Sequence, residues 1–285
     1  MLLFGATGKI GQYLVPALTA AGARPTLFVR DVDRARTRFG DPVDYLPGDL
    51  HDPTAVKTAL AGQDVVFLAN GQTDDQVALE TAAIDAAAAA GVRRIVKISA
   101  LGAQHEAGSN VFARWHHEIE ARLSAAPLAG TVLRPNIFAA NLLGSAPQIA
   151  AGQLFSTTED GRTAWVHPRD IAELAAAALM DDAHAGREYE VTGPEALSHD
   201  ELAERLGAGI GRPVQHIRID DDSFRAALQS AGLPGWVVDA FVEMNARTVR
   251  GGQAGAVSSD LPTVLGRPAT SIDTWIEEHA AALKG

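Results

Sequence analysis

The chain has 285 residues, of which 47% are hydrophobic and 21% charged, so it can bury a large core in one or two closely joined domains. Its net charge of −11 argues against a nucleic-acid-binding surface. Because there are no cysteines, disulfides, thiolate catalysis and cysteine-ligated zinc are excluded. No apolar stretch predicts a membrane span and no signal peptide is recognisable, so we expect a cytoplasmic protein.

Short apolar runs alternate with helix-like segments over the first half of the chain. The runs LLF, PTLFV, VDYL, DVVFLA, RRIVKIS and TVLRP are predicted strands. The segments between them are predicted helices, and several end in glycine, as helices commonly do. Continuous apolar strands joined by helices favour a parallel sheet that is buried on both faces. We therefore predict an α/β fold with a doubly wound Rossmann sheet.

The pattern changes after residue 135. DIAELAAAALMDD predicts a helix and EYEVTG one further strand, whereas from LSHDELAERLGAGIG onward the chain is predicted to be mostly helical, with no sheet of its own. We predict a dinucleotide-binding Rossmann domain over residues 1–135 and a smaller, mostly helical substrate lobe over 136–285. About 170–193 of the second segment is expected to return to the Rossmann sheet.

The segment GATGKIG follows the first predicted strand and precedes the first predicted helix. In such a turn Gly5 permits the tight bend, Gly8 lets the backbone approach a diphosphate, and Gly11 lets the helix pack closely on the sheet. A glycine triplet alone could be a structural turn, but this setting predicts a dinucleotide site at a helix N-terminus. The backbone N–H groups expected around the phosphates belong to Thr7, Lys9 and Ile10.

The end of the second predicted strand favours NADP(H) over NAD(H) as the cofactor. NAD-selective sites usually place an acid there, whereas the first polar residue here is Arg30, which can bind a 2′-phosphate. Arg34 offers a second cation one helical turn later. Two alternatives stay open: Asp31 could reach the ribose hydroxyls, or these residues could form an ordinary solvated helix start with Asp33 as its N-terminal charge.

The runs GATGKIG, VRD, GDLHDP, RRIVKISALGA, LRPNIFAAN and WVHPRDIAELAAAAL follow one another as in NmrA-like proteins. These are atypical short-chain dehydrogenases/reductases, related to NAD(P)H:quinone reductases and to isoflavone-reductase-like enzymes, and the chain resembles them over essentially its whole length. The resemblance implies that Asp49 and Leu50 lie beside the adenine. It also implies that the path toward the nicotinamide is lined by Ala69, Asn70 and Gly71.

The same resemblance implies which residues surround the nicotinamide and the substrate. Those expected at the nicotinamide ring or its carboxamide are Pro135, Asn136 and Ile137. Those expected at the substrate are Phe112, Phe138, Asn141, Trp165 and His167. For Phe138 and Trp165, a place in the hydrophobic core is an equally good interpretation. The segment GWVVDAFVEMNARTVRGG could form either a lid or a packing helix.

Ser99 ends the run RRIVKIS, within range of a nicotinamide, because ligands of such sheets bind at the carboxyl ends of the strands. In the wider superfamily this serine works with a Tyr-x-x-x-Lys pair. Here Phe112 and His116 occupy those two positions, and Arg114 stands where isoflavone-reductase-like enzymes use a lysine. His116, with Glu120 one turn later, is the remaining candidate for a proton donor near neutral pH. It could instead bind the cofactor ribose or only its helix neighbours.

The missing tyrosine limits the reaction. Hydride addition to a simple ketone creates a strongly basic oxygen that needs a proton donor, whereas a quinone, an iminium or a cationic dye gives a delocalised or neutral product. We predict an NADPH-dependent reductase of a quinone-like or otherwise conjugated small molecule, without a metal; a homodimer is compatible with the sequence. Two other functions stay open: a redox sensor that binds NADP without catalysis, and a non-redox enzyme that cyclises or isomerises its substrate.

Overall fold

In the computed structural model, which describes residues 1–105 and 110–285, strands and helices alternate over the first half of the chain. They follow the predicted order of strands and helices, because most of the apolar runs are buried as strands. The strand over residues 44–47 is exposed at both ends and partly buried between them. The elements are β1 (Leu2–Phe4), α1 (Gly11–Ala20), β2 (Thr26–Val29), α2 (Val32–Phe39), β3 (Asp44–Pro47), α3 (Pro53–Leu60), β4 (Val65–Leu68), α4 (Gln76–Ala89), β5 (Arg94–Ile98), α5 (Val111–Ser124) and β6 (Ala129–Pro135).

The second half is mainly helical, with short strands between the helices. Its elements are α6 (Ala146–Ala150), β7 (Gln153–Ser156), β8 (Arg162–Thr163), α7 (Pro168–Met180), β9 (Glu188–Val191), β10 (Leu197–Ser198), α8 (His199–Ile210), β11 (Gln215–Arg218), α9 (Asp221–Ser230), α10 (Gly235–Met244), α11 (Asp260–Leu265) and α12 (Ile272–Lys284). A 3₁₀ segment covers Ala139–Ser145, and α10 continues into a π-helical turn over Asn245–Val249. Among the described residues, no helix combines the length and the hydrophobicity that a membrane span requires.

The main sheet has the order β3-β2-β1-β4-β5-β6-β9, and its strands from β3 through β6 run parallel. In the centre Leu3 is paired with Leu27 on one side and with Phe67 on the other. The strand order therefore reverses between β1 and β4, and a crevice for a ligand is expected at the carboxyl ends of these two strands. This topology confirms the predicted doubly wound Rossmann sheet.

One prediction for the second half is wrong: this part of the chain does form small sheets of its own. β11 pairs in parallel with β7, and β10 pairs antiparallel with β8. The strands have only two to four residues, so no periodicity can identify them in the sequence. Their partners also lie far away along the chain, so no local pattern indicates the pairing.

The chain divides into two compact units. The first contains Met1–Ala103, Trp115–Arg134 and Pro168–Tyr189; the second contains Gln104–Arg114, Pro135–His167 and Glu190–Gly285. The core of the first unit is formed by the strands with α3, α4 and α5, and the core of the second surrounds the fully buried Trp275 of α12. Nothing in the sequence indicated that Gln104–Arg114 belongs to the second unit.

Candidate functional site

The turn between β1 and α1 can be built only with glycine at two of its three glycine positions. Gly5 has φ +82°, and a Cβ there would lie 2.2 Å from the carbonyl oxygen of Ala69. A Cβ on Gly11 would lie 2.1 Å from the carbonyl oxygen of Ala6. At Gly8 the nearest atom would be 3.3 Å away. Gly5 therefore brings the turn against the segment after β4, and Gly11 lets α1 begin directly beside the turn.

The N-terminus of α1 fits the diphosphate of a dinucleotide. The helix begins at Gly11, and in the described part of the chain no side chain caps it at Ile10. The N–H groups of Gln12 and Tyr13 already donate to the carbonyl oxygens of Gly8 and Ile10, at 3.2 and 2.9 Å. An anion here would therefore be bound by N–H groups that precede Gln12 and by the positive end of the helix dipole. After β4, Nδ2 of Asn70 is buried without a hydrogen-bond partner among the described residues. A ligand rich in acceptor oxygens would satisfy both sets of donors.

The carboxylate at the end of β2, that of Asp31, already has a hydrogen-bond partner in the protein backbone. Asp31 caps α2 by accepting a hydrogen bond from the backbone N–H of Arg34, at 2.9 Å. The side chain of Arg30 is 83% exposed, with its Nε 3.9 Å from an oxygen of Asp49. Arg38, which the sequence analysis did not single out, donates to the carbonyl oxygen of Thr7 at 3.1 Å. The cap explains Asp31 without a role at the ribose and leaves Arg30 facing solvent.

The segment after β3 places Asp49 at this same edge of the sheet. Its carboxylate accepts from the backbone N–H of His51 at 3.0 Å and lies 2.7 Å from Nδ1 of that histidine. The hydrogen bonds from His51, first from its backbone and then from its ring, hold the pKa of Asp49 below its usual value. Leu50 packs against the core of the first unit. Asp49 is therefore ionised, and the two hydrogen bonds from His51 fix the position of its carboxylate.

Ser99 follows β5, as predicted, and its hydroxyl is already bound. It donates to the carboxylate of Glu120, which is also held by Arg134 at 2.6 Å. Arg134 in turn pairs with Glu188 at 2.8 Å. Glu120 was the expected carboxylate partner of His116, but its partners in the structure are Ser99 and Arg134. The predicted role of Ser99 at the nicotinamide stays a prediction.

His116 belongs to a buried polar cluster that the sequence analysis missed. Glu80 and Lys97 are fully buried and form an ion pair at 2.7 Å, and Nζ of Lys97 lies 3.2 Å from Nδ1 of His116. Gln76 donates to Glu80 at 2.8 Å. Because Lys97 carries only donors, Nδ1 of His116 must accept. Burial, and then the charge of Lys97, hold the pKa of His116 well below its usual value.

A neutral, buried imidazole does not fit the predicted proton donor near neutral pH, since an imidazolium would be required in a site that disfavours charge. The sequence did contain a signal for this cluster. Lys97 interrupts the apolar run RRIVKIS, and Glu80 interrupts an alanine-rich helix; both charges stand where hydrophobic residues are expected. A charge in each of two neighbouring buried elements indicates that the two charges pair.

The part of α5 that belongs to the second unit holds Phe112 and Arg114. Arg114 forms a bidentate ion pair with Glu243 of α10, with N–O distances of 2.9 and 3.0 Å. Glu243 also accepts a hydrogen bond from the backbone N–H of Val111. Phe112 is buried, with its ring edge-on to Phe241 at 6.1 Å. The segment that could form a lid is thus a helix that packs on the start of α5.

Hydrogen bonds within the second unit fix the residues that follow β6. Pro135 is the last residue of this strand. The amide of Asn136 is used twice, donating to the carbonyl oxygen of Ala254 at 2.8 Å and accepting from the N–H of Ile137 at 2.8 Å. Phe138 is partly buried and bridges to Val166. Asn136 therefore holds the backbone in place, and its contact with the nicotinamide stays a prediction.

The other predicted substrate residues also lie in the second unit. Trp165 is buried with its ring edge-on to His199 at 5.9 Å, which agrees with its interpretation as a core residue. His167 is buried, and its Nε2 lies 3.1 Å from a carboxylate oxygen of Glu278. Asn141 is exposed in the 3₁₀ segment. Contact of these residues with a substrate stays a prediction.

Comparison with known proteins identifies the family. The family model for NAD(P)H-binding proteins matches residues 5–182. The chain belongs to the NAD(P)H-binding family. It is 34% identical to the NAD(P)H azoreductase of Xenophilus azovorans, over 99% of this chain and 98% of that protein. It is 35% identical, over 99% and 98%, to a (4-alkanoyl-5-oxo-2,5-dihydrofuran-3-yl)methyl phosphate reductase of Streptomyces griseus.

A solved structure agrees with these relatives. The NADPH-dependent quinone oxidoreductase of Escherichia coli, complexed with NADPH, superposes with a TM-score of 0.89 at 27% identity, over 97% of this chain and 98% of that one. The predicted family, NmrA-like atypical short-chain dehydrogenases/reductases, is confirmed, and this member is an NAD(P)H-dependent oxidoreductase. Its relatives act on small molecules. Of the three functions left open by the sequence, these findings favour the reductase.

A Ser–His–Asp hydrogen-bond chain in the second unit of this oxidoreductase was also missed. Oγ of Ser156 lies 2.7 Å from Nε2 of His216, and Nδ1 of His216 lies 2.8 Å from Asp200. A nucleophilic serine must reach its substrate, whereas Ser156 and the ring of His216 are buried. These hydrogen bonds therefore connect β7, β11 and α8. They have the geometry of a catalytic triad, but a substrate cannot reach the serine.

Proposed function

We propose that this oxidoreductase uses NADPH to reduce a quinone or another conjugated small molecule, without a tyrosine–lysine pair. The proposal is carried by the state of three α5 residues. Phe112 has no acidic proton, Arg114 is paired with Glu243, and buried His116 accepts from Lys97. From these positions the superfamily or its isoflavone-reductase-like branch would supply an acid or a cation. In this chain the three side chains at these positions are apolar (Phe112) or already engaged with another side chain of the protein (Arg114 and His116).

An acceptor reduced at such a site has to stabilise its own negative charge. The reduced dinucleotide, when bound, supplies a hydride. In a quinone the incoming electron pair is delocalised onto an oxygen that becomes a weakly basic phenolate and takes its proton from water. A simple ketone becomes an alkoxide, whose basicity demands an acid in the transition state. The site then contributes mainly orientation and exclusion of water.

The names of the relatives support this class of acceptor. They specify an azo compound, a quinone and an oxo-dihydrofuran that carries an alkanoyl group. Each of these has a multiple bond that can receive hydride while the charge spreads over neighbouring atoms. We infer the same class for this chain, because its α5 positions lack the acid that a simple ketone requires.

The preference for NADPH rests on Arg30. It follows β2, where the 2′ position of the adenosine ribose is expected, and Asp31 does not compete there because it caps α2. A guanidinium binds a phosphate through charge-assisted hydrogen bonds. The 83% exposure of the Arg30 side chain leaves its donors accessible to a ligand from solvent.

A matched acceptor pair tests the reaction. NADPH oxidation is followed at 340 nm with 1,4-benzoquinone and with cyclohexanone, each beside a reaction without enzyme. We expect catalysed turnover of the quinone and none of the ketone above the uncatalysed rate. Catalysed reduction of cyclohexanone would contradict the proposal, because it would require a proton donor that α5 does not provide.

Fluorescence titration tests the cofactor. We expect Arg30→Ala to weaken NADPH binding on the order of tenfold, the value of a hydrogen bond between charged groups, and to change NADH binding little. Arg36→Ala is the matched control, because Arg36 is an exposed arginine of α2 that stacks on Tyr45. Equal losses of NADPH and NADH binding in the Arg30 variant would refute the phosphate contact.

A further inference from the structure

His51 connects two carboxylates at the carboxyl edge of the main sheet. Its Nδ1 lies 2.7 Å from Oδ1 of Asp49, and its Nε2 lies 2.9 Å from Oδ2 of Asp75, which directly precedes α4. The other oxygen of Asp49 faces Arg30 at the looser distance of 3.9 Å. One chain of charges thus runs across this edge, from Arg30 through Asp49 and His51 to Asp75.

Both contacts of His51 require its protonated form. A neutral imidazole has one N–H group, and a carboxylate can only accept, so two carboxylates are satisfied together only by an imidazolium. Asp49 comes from the segment of His51 itself and Asp75 from the start of α4; these two carboxylates are the charges that act on the ring. Their hydrogen bonds raise the pKa of His51 above its usual value.

The chain of charges also determines what Arg30 can bind. An ionised Asp49 beside an exposed guanidinium competes with any phosphate for that guanidinium. His51 engages Asp49 by its backbone N–H and by its ring, both at the same oxygen, and so draws the carboxylate into its own segment. Nε of Arg30 lies 3.9 Å from Asp49, which exceeds a direct hydrogen bond, so Asp49 does not bind this donor directly.

We propose that His51 is a specificity-determining residue for the cofactor: in its protonated form it holds Asp49 away from Arg30 and keeps that arginine available for a 2′-phosphate. The preference for NADPH over NADH then depends on pH. It is full while His51 is protonated and falls as the ring loses its proton. This inference rests on the proposed contact between Arg30 and the 2′-phosphate.

The test compares dissociation constants of NADPH and NADH for the full-length wild type and for His51→Ala, from pH 5.5 to 9. We expect the ratio of the two constants to shift toward NADH by about two- to fivefold in the variant at low pH, as for an exposed ion pair. The 2′-phosphate itself titrates near pH 6. The readout is therefore the difference between wild type and variant at each pH, which should shrink as the pH rises past the pKa of His51.

A second variant separates the proposed route from a simple change of charge. In Asp49→Asn/His51→Ala the competing carboxylate is gone, so the NADPH preference should return toward the wild-type value. Lys57→Ala, which removes an exposed cation of α3, should leave the ratio unchanged. A His51→Ala ratio that equals wild type at every pH, or no recovery in the double variant, would overturn the inference. A wild type without any NADPH preference would instead overturn the proposed contact of Arg30.

Discussion

The buried cluster around His116 yields a sharp prediction, obtained by replacing Glu80 with glutamine. Glu80 and Lys97 are 0% exposed and 2.7 Å apart. Without the carboxylate, the ammonium stays buried among neutral acceptors: the introduced amide oxygen and, from the described residues, Nδ1 of His116 and the carbonyl oxygen of Ile98. Loss of one partner of a buried ion pair costs about 3–5 kcal/mol. That is a large part of a typical total stability of roughly 5–15 kcal/mol.

Urea denaturation followed by circular dichroism measures this loss. Asp85→Asn is the matched control, because Asp85 lies on the same helix, α4, and pairs with Arg122 at the surface, where both side chains are about half exposed. Such a pair contributes at most about 1 kcal/mol. We expect the free energy of unfolding to fall several times more in Glu80→Gln than in Asp85→Asn.

The double variant Glu80→Gln/Lys97→Met completes the cycle. It removes both charges and keeps the volume, so it should be more stable than Glu80→Gln alone. Compared with the single variants Glu80→Gln and Lys97→Met, the free energies of unfolding should show a coupling of about 1–3 kcal/mol. The reasoning is refuted if Glu80→Gln costs no more than Asp85→Asn. It is also refuted if the double variant loses the full sum of the two single variants, because the charges would then act independently.

Three further predictions concern the turn, pH and the second unit. Gly11→Ala should abolish NADPH binding in a fluorescence titration, because its Cβ would lie 2.1 Å from a backbone oxygen, whereas Gly8→Ala, at 3.3 Å, should only weaken it. Burial lowers the pKa of His199 to about 4, so the unfolded chain gains a proton that the folded chain refuses, and stability should fall between pH 6.5 and 4 by about 3 kcal/mol in denaturation at each pH. Glu243→Gln should cost about 1 kcal/mol in a thermal melt, because the pair with Arg114 is part-exposed.

Each of these three predictions has its own control or contradicting result. Equal NADPH binding by the two glycine variants would contradict the close approach at Gly11. His199→Gln should show a flatter decline of stability in acid than the wild type, and an unchanged decline would assign it to other groups. Arg114→Gln should add little to the loss in Glu243→Gln, since the two residues form one interaction.

The main sheet could be predicted because its information is local. Runs such as Val65–Leu68 are apolar over their whole length, a pattern typical of strands that are covered on both faces. β11 carries no such pattern, because its four residues, QHIR, begin with a polar side chain and end with a charged one. It forms because β7 offers it an edge, and that edge exists only in the folded second unit. The homodimer and the cytoplasmic location stay predictions.

The candidate site likewise has parts that a local sequence pattern predicts and parts that depend on contacts between distant residues. The turn with Gly5 and Gly11 was recognisable because strand, glycines and helix adjoin in the sequence. The bridge from His51 to Asp75 spans 24 positions, and the contact of Ser156 with His216 spans 60. No spacing rule connects residues so far apart. His116 shows the limit most clearly: its place on α5 was foreseen, but its protonation depends on Lys97, which comes from another element.

We infer the acceptor class from what α5 lacks, and such an inference can name a class but not an individual acceptor. Phe112 cannot donate a proton, so a site built around it favours acceptors that need no acid. Choosing among the remaining acceptors requires positive contacts, which depend on shape and hydrogen bonds at a substrate-contacting surface. The side chains expected there, among them Phe138 and Asn141, come from separate segments, and their own packing within the second unit is compatible with many ligands. The cofactor is easier to test, because the proposed contact of Arg30 with a 2′-phosphate is one charge contact that a single substitution removes.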